Sequence, residues 1–277
     1  SAIRRIARAT TSARTFHSGE PGEASGRHRL QARKPVCWAA AAVAKNETFC
    51  GFGVLAGHDL GAVQKAYEGL LNDPDDPLVD RAVAGDLYPP GSTFKLVVAA
   101  AAVEAGYGPD TVIDAPQELT LPLTSATIKN YGGERCGPTD QITLLEALRV
   151  SCNTAFAKLA MDLGWPAIES TAANFGWGSG LDIPLEVTPS RLPTSPNAPQ
   201  VAQSGIGQFD VRATPLQMAM VVSAIANKGV LMKPYLVDTV RDPDLRVIEQ
   251  TSPERLSTPV SADTAAALTV MMQAVVN

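Results

Sequence analysis

Two residues spaced for one helical turn, Ser92 and Lys95, carry the strongest chemical signal in this sequence. They open the largely apolar run Leu96–Ala105, and residues three apart on a helix share one face, so the amine lies beside the hydroxyl. An amine in that place can take the hydroxyl proton, and a helix N-terminus favours the negative charge that develops. A pattern this short also arises by chance about once in such a chain, so its context must decide. The spacing indicates a serine nucleophile with a lysine base.

Histidine is too scarce to supply a competing catalytic group. The chain has three, His17, His28 and His58, all before Ser92, so a Ser-His-Asp triad would need one of them to fold back. No two histidines have metal-ligand spacing, and we predict neither a metal nor a cofactor. Lys95 is therefore the best base in reach of Ser92, and a working base needs its pKa lowered by burial or by nearby positive charge.

A second polar pair, Ser151 and Asn153, lies between two helix-like stretches, Ile142–Val150 and Thr154–Leu163. On a short turn between helices, this hydroxyl and this carboxamide can face one cleft, where they could relay a proton and hold a substrate amide. The alternative is that both residues only cap helices. Their presence downstream of a Ser-x-x-Lys pattern favours the catalytic interpretation.

Ser-x-x-Lys followed by Ser-x-Asn is the pattern of penicillin-binding proteins and serine β-lactamases. The stretch Tyr88–Lys95, with the sequence YPPGSTFK, resembles class B penicillin-binding proteins in particular. The resemblance covers residues 58–277 and includes features that look like the actinobacterial PbpA-like group. Four further stretches strengthen it: Asn130–Gly133, Ser151–Phe156, Ser204–Gln208 and Thr214–Ala219.

This resemblance implies a peptidoglycan DD-transpeptidase domain that acts on stem peptides ending in D-Ala-D-Ala during cell-wall cross-linking, and that β-lactams capture covalently. It makes Ser92 the acylated nucleophile, Lys95 its base, Ser151 the proton shuttle and Asn153 a contact to the substrate amide. Two alternatives stay open. One is a β-lactamase or DD-carboxypeptidase of the same superfamily, and the other is a non-catalytic remnant that only binds partners.

The resemblance also implies a location on the extracytoplasmic face of the plasma membrane, with cell-division proteins as partners. The longest apolar run near the start, Val36–Ala44, is too short to span a bilayer. Because the family works outside the cytoplasm, where disulfides persist, we expect a bridge between Cys136 and Cys152. The recognised part of the chain is acidic, which argues against nucleic acid as a partner.

The sequence departs from the family in its third motif, Lys-Thr-Gly or Lys-Ser-Gly. None of its lysines is followed by Ser/Thr-Gly. In the family, the strand that carries this motif also gives one N–H to the oxyanion hole, and losing one such donor typically costs about 10²–10³ in rate. Whether this chain is an active enzyme is therefore uncertain, and we expect it, as written, to be weak or inactive.

The first 57 residues form a second departure. Residues 1–50 are rich in Arg and Ala and hold nine basic and three acidic side chains, for a net charge of +6. We interpret residues 1–57 as an unrecognised segment, produced by an upstream reading-frame or gene-model error rather than as a transit peptide. Residues 58–277 are interpreted as a partial transpeptidase domain.

The expected fold is α+β, of the DD-peptidase/serine β-lactamase type, with helices around a central antiparallel sheet, here incomplete and mostly helical. We predict helices over Thr93–Ala105, Ile142–Val150, Thr154–Leu163, Ala167–Phe175, Thr214–Asn227 and Ala262–Val276, and a long loop over Gly176–Val201. Without the sheet, apolar stretches such as Val97–Val103 and Met218–Ile225 should be exposed and the chain poorly stable.

Overall fold

The computed structural model describes residues 60–276, and the interpretation of residues 1–57 lies outside that range. Its described part contains eight α-helices: α1 Leu60–Leu71, α2 Lys95–Glu104, α3 Leu144–Arg149, α4 Asn153–Leu163, α5 Trp165–Asn174, α6 Ala198–Ser204, α7 Pro215–Ala226 and α8 Ala262–Val276. None of these helices has the length and hydropathy that a bilayer crossing requires.

Eight short strands form four antiparallel pairs in the same range. They are β1 Val112–Asp114 with β4 Gln141–Thr143, β2 Glu118–Thr120 with β3 Thr127–Lys129, β5 Leu231–Met232 with β8 Arg255–Ser257, and β6 Thr239–Arg241 with β7 Val247–Gln250. No sheet between residues 60 and 276 has more than two strands. The expectation of an α+β, mostly helical chain is confirmed.

Helix α2 is the centre of the core. Its residues Lys95–Ala102 are all buried, and α3, α4, α5 and α8 pack around it. A helix that is apolar on every side is stable only when neighbours cover it completely, and the four alanines Ala99–Ala102 let those neighbours approach closely. The expected exposure of Val97–Val103 is therefore wrong, because these helices cover the face without a sheet.

The ends of α2 are set by local sequence. A 3₁₀ turn, Gly91–Phe94, leads into it, and Gly106 ends it with a positive φ of 95°. The Gly106 N–H donates to Val103 O and the Tyr107 N–H to Ala102 O, both at 3.0 Å. This pair of bonds is a Schellman motif, in which glycine takes the left-handed position at no steric cost.

Helix α7 begins and ends as its sequence predicts. Thr214 accepts a hydrogen bond from the Gln217 N–H, and Pro215 occupies the first turn, where its missing N–H costs nothing. The predicted exposure of Met218–Ile225 is wrong, since Met220, Val221, Val222, Ala224 and Ile225 are buried. Helix α8 and strand β5 cover this face.

Three local features differ from the sequence prediction. Ile142 and Thr143 belong to strand β4, paired with Ile113 and Val112, so the helix predicted from Ile142 begins only at Leu144. The stretch predicted as a loop through Val201 contains the start of α6, whose N-terminus carries an Asn197–Gln200 capping box. Helix α1 was not predicted.

Candidate active site

Ser92 lies in the 3₁₀ turn immediately before α2, and Lys95 is the first residue of that helix. The Lys95 N–H donates to Ser92 O, so one turn of backbone joins them. Ser92 is half-buried and Lys95 fully buried. No hydrogen bond joins the Ser92 hydroxyl to another residue between 60 and 276. The nucleophile predicted from sequence is therefore partly accessible and its side chain unengaged within this range.

The turn that carries Ser92 is held by the segment Gly207–Ala213. The Gly91 N–H donates to Gly207 O at 2.9 Å, and Tyr88 and Ala213 exchange two backbone hydrogen bonds of 3.0 and 2.8 Å. Gly207 has a φ of +69°, and a Cβ there would overlap the Gly91 carbonyl and lie 2.7 Å from its nitrogen. Only glycine lets these two backbones approach this closely.

Gly207→Ala is expected to lower the rate constant of serine acylation about 10²-fold, since the added methyl displaces the turn and small misplacements of a nucleophile have such costs. The matched control is Gly178→Ala, which has a similar φ of +79° but nothing within 4 Å of the added Cβ. Stopped-flow capture of labelled penicillin, with thermal unfolding in parallel, measures the effect. Equal acylation rates in the two variants would contradict it.

The ammonium group of Lys95 sits among oxygen atoms of the second predicted pair. Its Nζ donates to Ser151 O at 2.8 Å, to Ser151 Oγ at 3.1 Å and to Asn153 Oδ1 at 2.8 Å. The ring of Phe156 lies under it, with 5.6 Å from Nζ to the centroid. The structure therefore brings Lys95, Ser151 and Asn153 into direct contact, one turn from Ser92.

Burial lowers the pKa of Lys95 from 10.5 to about 7, because an ammonium loses its hydration when it is enclosed by protein. The neutral amine has two hydrogens and one lone pair. Ser151 O and Asn153 Oδ1 can only accept, so they take the two hydrogens. The lone pair is then left for a hydroxyl, and a proton can pass between Lys95 Nζ and Ser151 Oγ.

The turn between α3 and α4 places Ser151 by a helix-ending motif. Ser151 has a φ of +60°, a left-handed conformation that is uncommon for a residue with a Cβ. The Ser151 N–H donates to Leu148 O at 3.1 Å and the Cys152 N–H to Ala147 O at 2.8 Å. These bonds form a second Schellman motif, with serine in the position that glycine usually occupies. Such strain is typical of functional positions.

Two bonds hold this turn against the end of β3 and the loop that follows it. The expected disulfide between Cys136 and Cys152 is present, with 5.7 Å between the Cα atoms. The side chain of Asn153 donates through Nδ2 to Lys129 O at 3.1 Å. This bond identifies which end of the amide is nitrogen and leaves Oδ1 facing Lys95.

The sequence predicts four site residues but gives no separate role to Asn130, Phe156 or Gly207. The signal was present, since each of these residues lies in a stretch that carries the family resemblance. Among residues 60–276, no group of three or more His, Cys, Asp or Glu side chains is arranged to hold a metal. Two open grooves, of about 560 and 460 Å³, lie around Lys158 and Trp177, and none of the four predicted residues lines them.

Comparison with protein families gives one match over most of the chain, the penicillin binding protein transpeptidase domain, across residues 57–277. A similar curated protein is the peptidoglycan D,D-transpeptidase PbpA of Mycolicibacterium smegmatis, 43% identical over 222 residues. The match covers 80% of this chain and 45% of that relative. The chain thus spans a little under half the length of the curated relative it matches.

Solved structures give the same result. The crystal structure of PBPA from Mycobacterium tuberculosis matches with a TM-score of 0.76 and 38% identity, over 80% of this chain and 52% of that one. Its penicillin G acyl-enzyme complex matches with a TM-score of 0.75 over the same shares. These neighbours confirm the expected DD-peptidase/serine β-lactamase-like fold.

Proposed function

The chain belongs to the penicillin-binding protein transpeptidase family, and from that premise we propose that it is a peptidoglycan DD-transpeptidase domain that works through an acyl-serine. The observation that carries the proposal is the contact of buried Lys95 with half-buried Ser151 and Asn153, one turn from Ser92. A lysine with a pKa of about 7 is a suitable base at neutral pH. The proposed substrate is a stem peptide that ends in D-Ala-D-Ala.

In the first step, Ser92 Oγ forms a bond to the carbonyl carbon of the penultimate D-Ala, and the amide C–N bond to the last D-Ala breaks. Lys95 Nζ takes the Ser92 proton and passes a proton to Ser151 Oγ, which gives its own proton to the departing amine. Asn153 donates to a substrate amide oxygen through the Nδ2 hydrogen that is not used by Lys129 O. The product is an ester between Ser92 and the shortened peptide.

In the second step, an amine of another stem peptide attacks the ester, and its proton returns through Ser151 and Lys95 as Ser92 leaves. A β-lactam enters the first step in the same way, since its ring amide bond opens on Ser92. Its leaving nitrogen stays tethered to the acyl group and blocks the acceptor. We therefore propose stem peptides as substrates and β-lactams as covalent inhibitors.

Family membership and one structural feature support an extracytoplasmic location. The Cys136–Cys152 disulfide belongs to an oxidising compartment. We propose that the domain works on the outer face of the plasma membrane, with division-machinery proteins among its partners.

The fate of the acyl-enzyme separates the proposed function from its alternatives. We expect a D-Ala-D-Ala peptide, supplied with a D-amino acid as acceptor amine, to yield more aminolysis product than hydrolysis product in mass spectrometry. The parallel control omits the acceptor. Hydrolysis without aminolysis would identify a carboxypeptidase. Rapid release of opened penicillin would identify a β-lactamase, and the absence of both acylation and release would identify a non-catalytic remnant.

A further inference from the structure

The first turn of α4 does not cap itself. Helix N-termini leave backbone N–H groups without partners, and a Ser, Thr, Asp or Asn at the N-cap usually accepts from them. In α4, the N-cap residue is Cys152, whose side chain caps nothing because its sulfur is bonded to Cys136. The backbone N–H groups in the first turn of α4, directly after Ser151, therefore need an acceptor from elsewhere in the fold.

Asn130 supplies that acceptor from the end of β3. Its Oδ1 accepts from the Asn153 N–H at 2.9 Å, from the Thr154 N–H at 3.1 Å and from the Thr154 hydroxyl at 3.3 Å. Its Nδ2 donates to Glu134 O at 3.1 Å, which fixes the orientation of the amide. One side chain, 23 residues away in sequence, thus does the work of the N-cap.

These bonds reach the proposed base through a single residue. Asn153 is held by its backbone N–H to Asn130 and by its side-chain Nδ2 to Lys129 O. Its remaining polar atom, Oδ1, accepts from Lys95 Nζ at 2.8 Å. If the bond to Asn130 is lost, the backbone of Asn153 can shift, and the acceptor opposite Lys95 is no longer fixed.

We infer that Asn130 is a positioning residue that holds Ser151 and Asn153 against Lys95 by capping α4 from outside the helix. Its effect on rate rests on the proposed function, whereas its effect on the turn does not. The simpler alternative is that Asn130 stabilises the fold as any helix cap does, with no particular influence on the site.

The charged side chains on the elements around Lys95 decide whether an added charge can serve as a test. They are Lys129 and Glu134 beside Asn130 and the Glu146–Arg149 and Lys158–Asp162 pairs on α3 and α4, with Glu104 more distant at the other end of α2. Lys129 pairs with Glu118 and Glu104 accepts from the Ser261 N–H. None of these groups forms an ion pair or a hydrogen bond with Lys95 between residues 60 and 276. A carboxylate at position 130 would therefore be a new charge beside the site.

Asn130→Ala is expected to speed amide hydrogen exchange at Asn153 and Thr154 at least tenfold and to slow acylation by about 10²-fold, the cost of a displaced catalytic group. Asn130→Asp keeps an accepting oxygen, so it should retain the protection of both amides. Its negative charge favours the ammonium form of Lys95 and should move the pH midpoint of acylation upward from about 7.

Ser261→Ala is the matched control, because Ser261 Oγ accepts from the Thr264 N–H and caps α8 away from the site. It should lower the thermal midpoint without changing the acylation rate constant. If Asn130→Ala behaves like Ser261→Ala, with the rate constant and the two amides unaffected, the inference is overturned. Amide exchange and the NMR titration of Lys95 test the role of Asn130 even if the chain does not acylate. A failure to acylate would refute only the proposed function.

Discussion

Ser92→Ala is expected to abolish covalent capture of penicillin, the largest effect of any single substitution in this chain. In the proposed mechanism Ser92 Oγ forms the acyl bond, and removing the nucleophile of a serine enzyme costs about 10⁶ in rate. Because this chain is expected to acylate slowly, the measurement is prolonged incubation of the 277-residue chain with a fluorescent penicillin, followed by digestion and mass spectrometry of the labelled peptide. The label should map to the peptide that contains Ser92.

Ser125→Ala is the control, since Ser125 is an exposed serine in the turn between β2 and β3. It should be labelled as fast as the parent. An adduct on another residue, or one that persists in Ser92→Ala, would remove Ser92 from the role of nucleophile.

Lys95→Arg is expected to slow acylation by about 10² or more, the range for lost general-base help. Arginine keeps the positive charge but does not deprotonate in this pH range, so it cannot take the Ser92 proton. Lys158→Arg is the matched control, because Lys158 pairs with Asp162 on the surface of α4 and should tolerate the exchange. The measurement is the rate constant of labelled-penicillin capture across pH 5.5–9.

The same experiment tests the role of burial. Because the pKa of Lys95 is about 7, the fraction of neutral amine rises as the pH passes through that value, and the acylation rate of the parent should rise with it. Lys95→Arg should lose this step. A parent rate that is flat across pH 7, or a Lys95→Arg variant that acylates near the parent rate, would reject Lys95 as the base.

Much of the helical framework could be predicted because its signals are local. The bounds of α8 agree with the prediction, and Pro215 and Gly106 mark helix ends where expected. The start of α3 could not be predicted, because Ile142 pairs with Ile113, 29 positions earlier, and that pairing overrides the helical pattern. The burial of α2 could not be predicted either, because the helices that pack around it come from distant parts of the sequence.

The site divides in the same way. Ser92, Lys95, Ser151 and Asn153 could be predicted as a group because their side chains are chemically suited to the proposed reaction and their spacing is recognisable. Asn130 and Gly207 act through backbone groups of other segments, one by accepting two N–H bonds and the other by leaving space. Both residues lie in stretches that carry the family resemblance, but nothing in the local pattern around either one reveals the backbone groups that it contacts.

The burial of Lys95 lowers its pKa, which suits it to act as a base, but also lowers the stability of the folded chain at neutral pH. Its pKa is 10.5 in the unfolded chain and about 7 in the folded one, so the unfolded state holds the extra proton between these values. The free energy of unfolding therefore rises with pH across that window, and the full penalty, roughly 3–5 kcal/mol before compensation, applies below pH 7. A directed-evolution screen for resistance to heat at neutral pH would therefore favour an apolar side chain at position 95, and the variants that it selects would lack the proposed base.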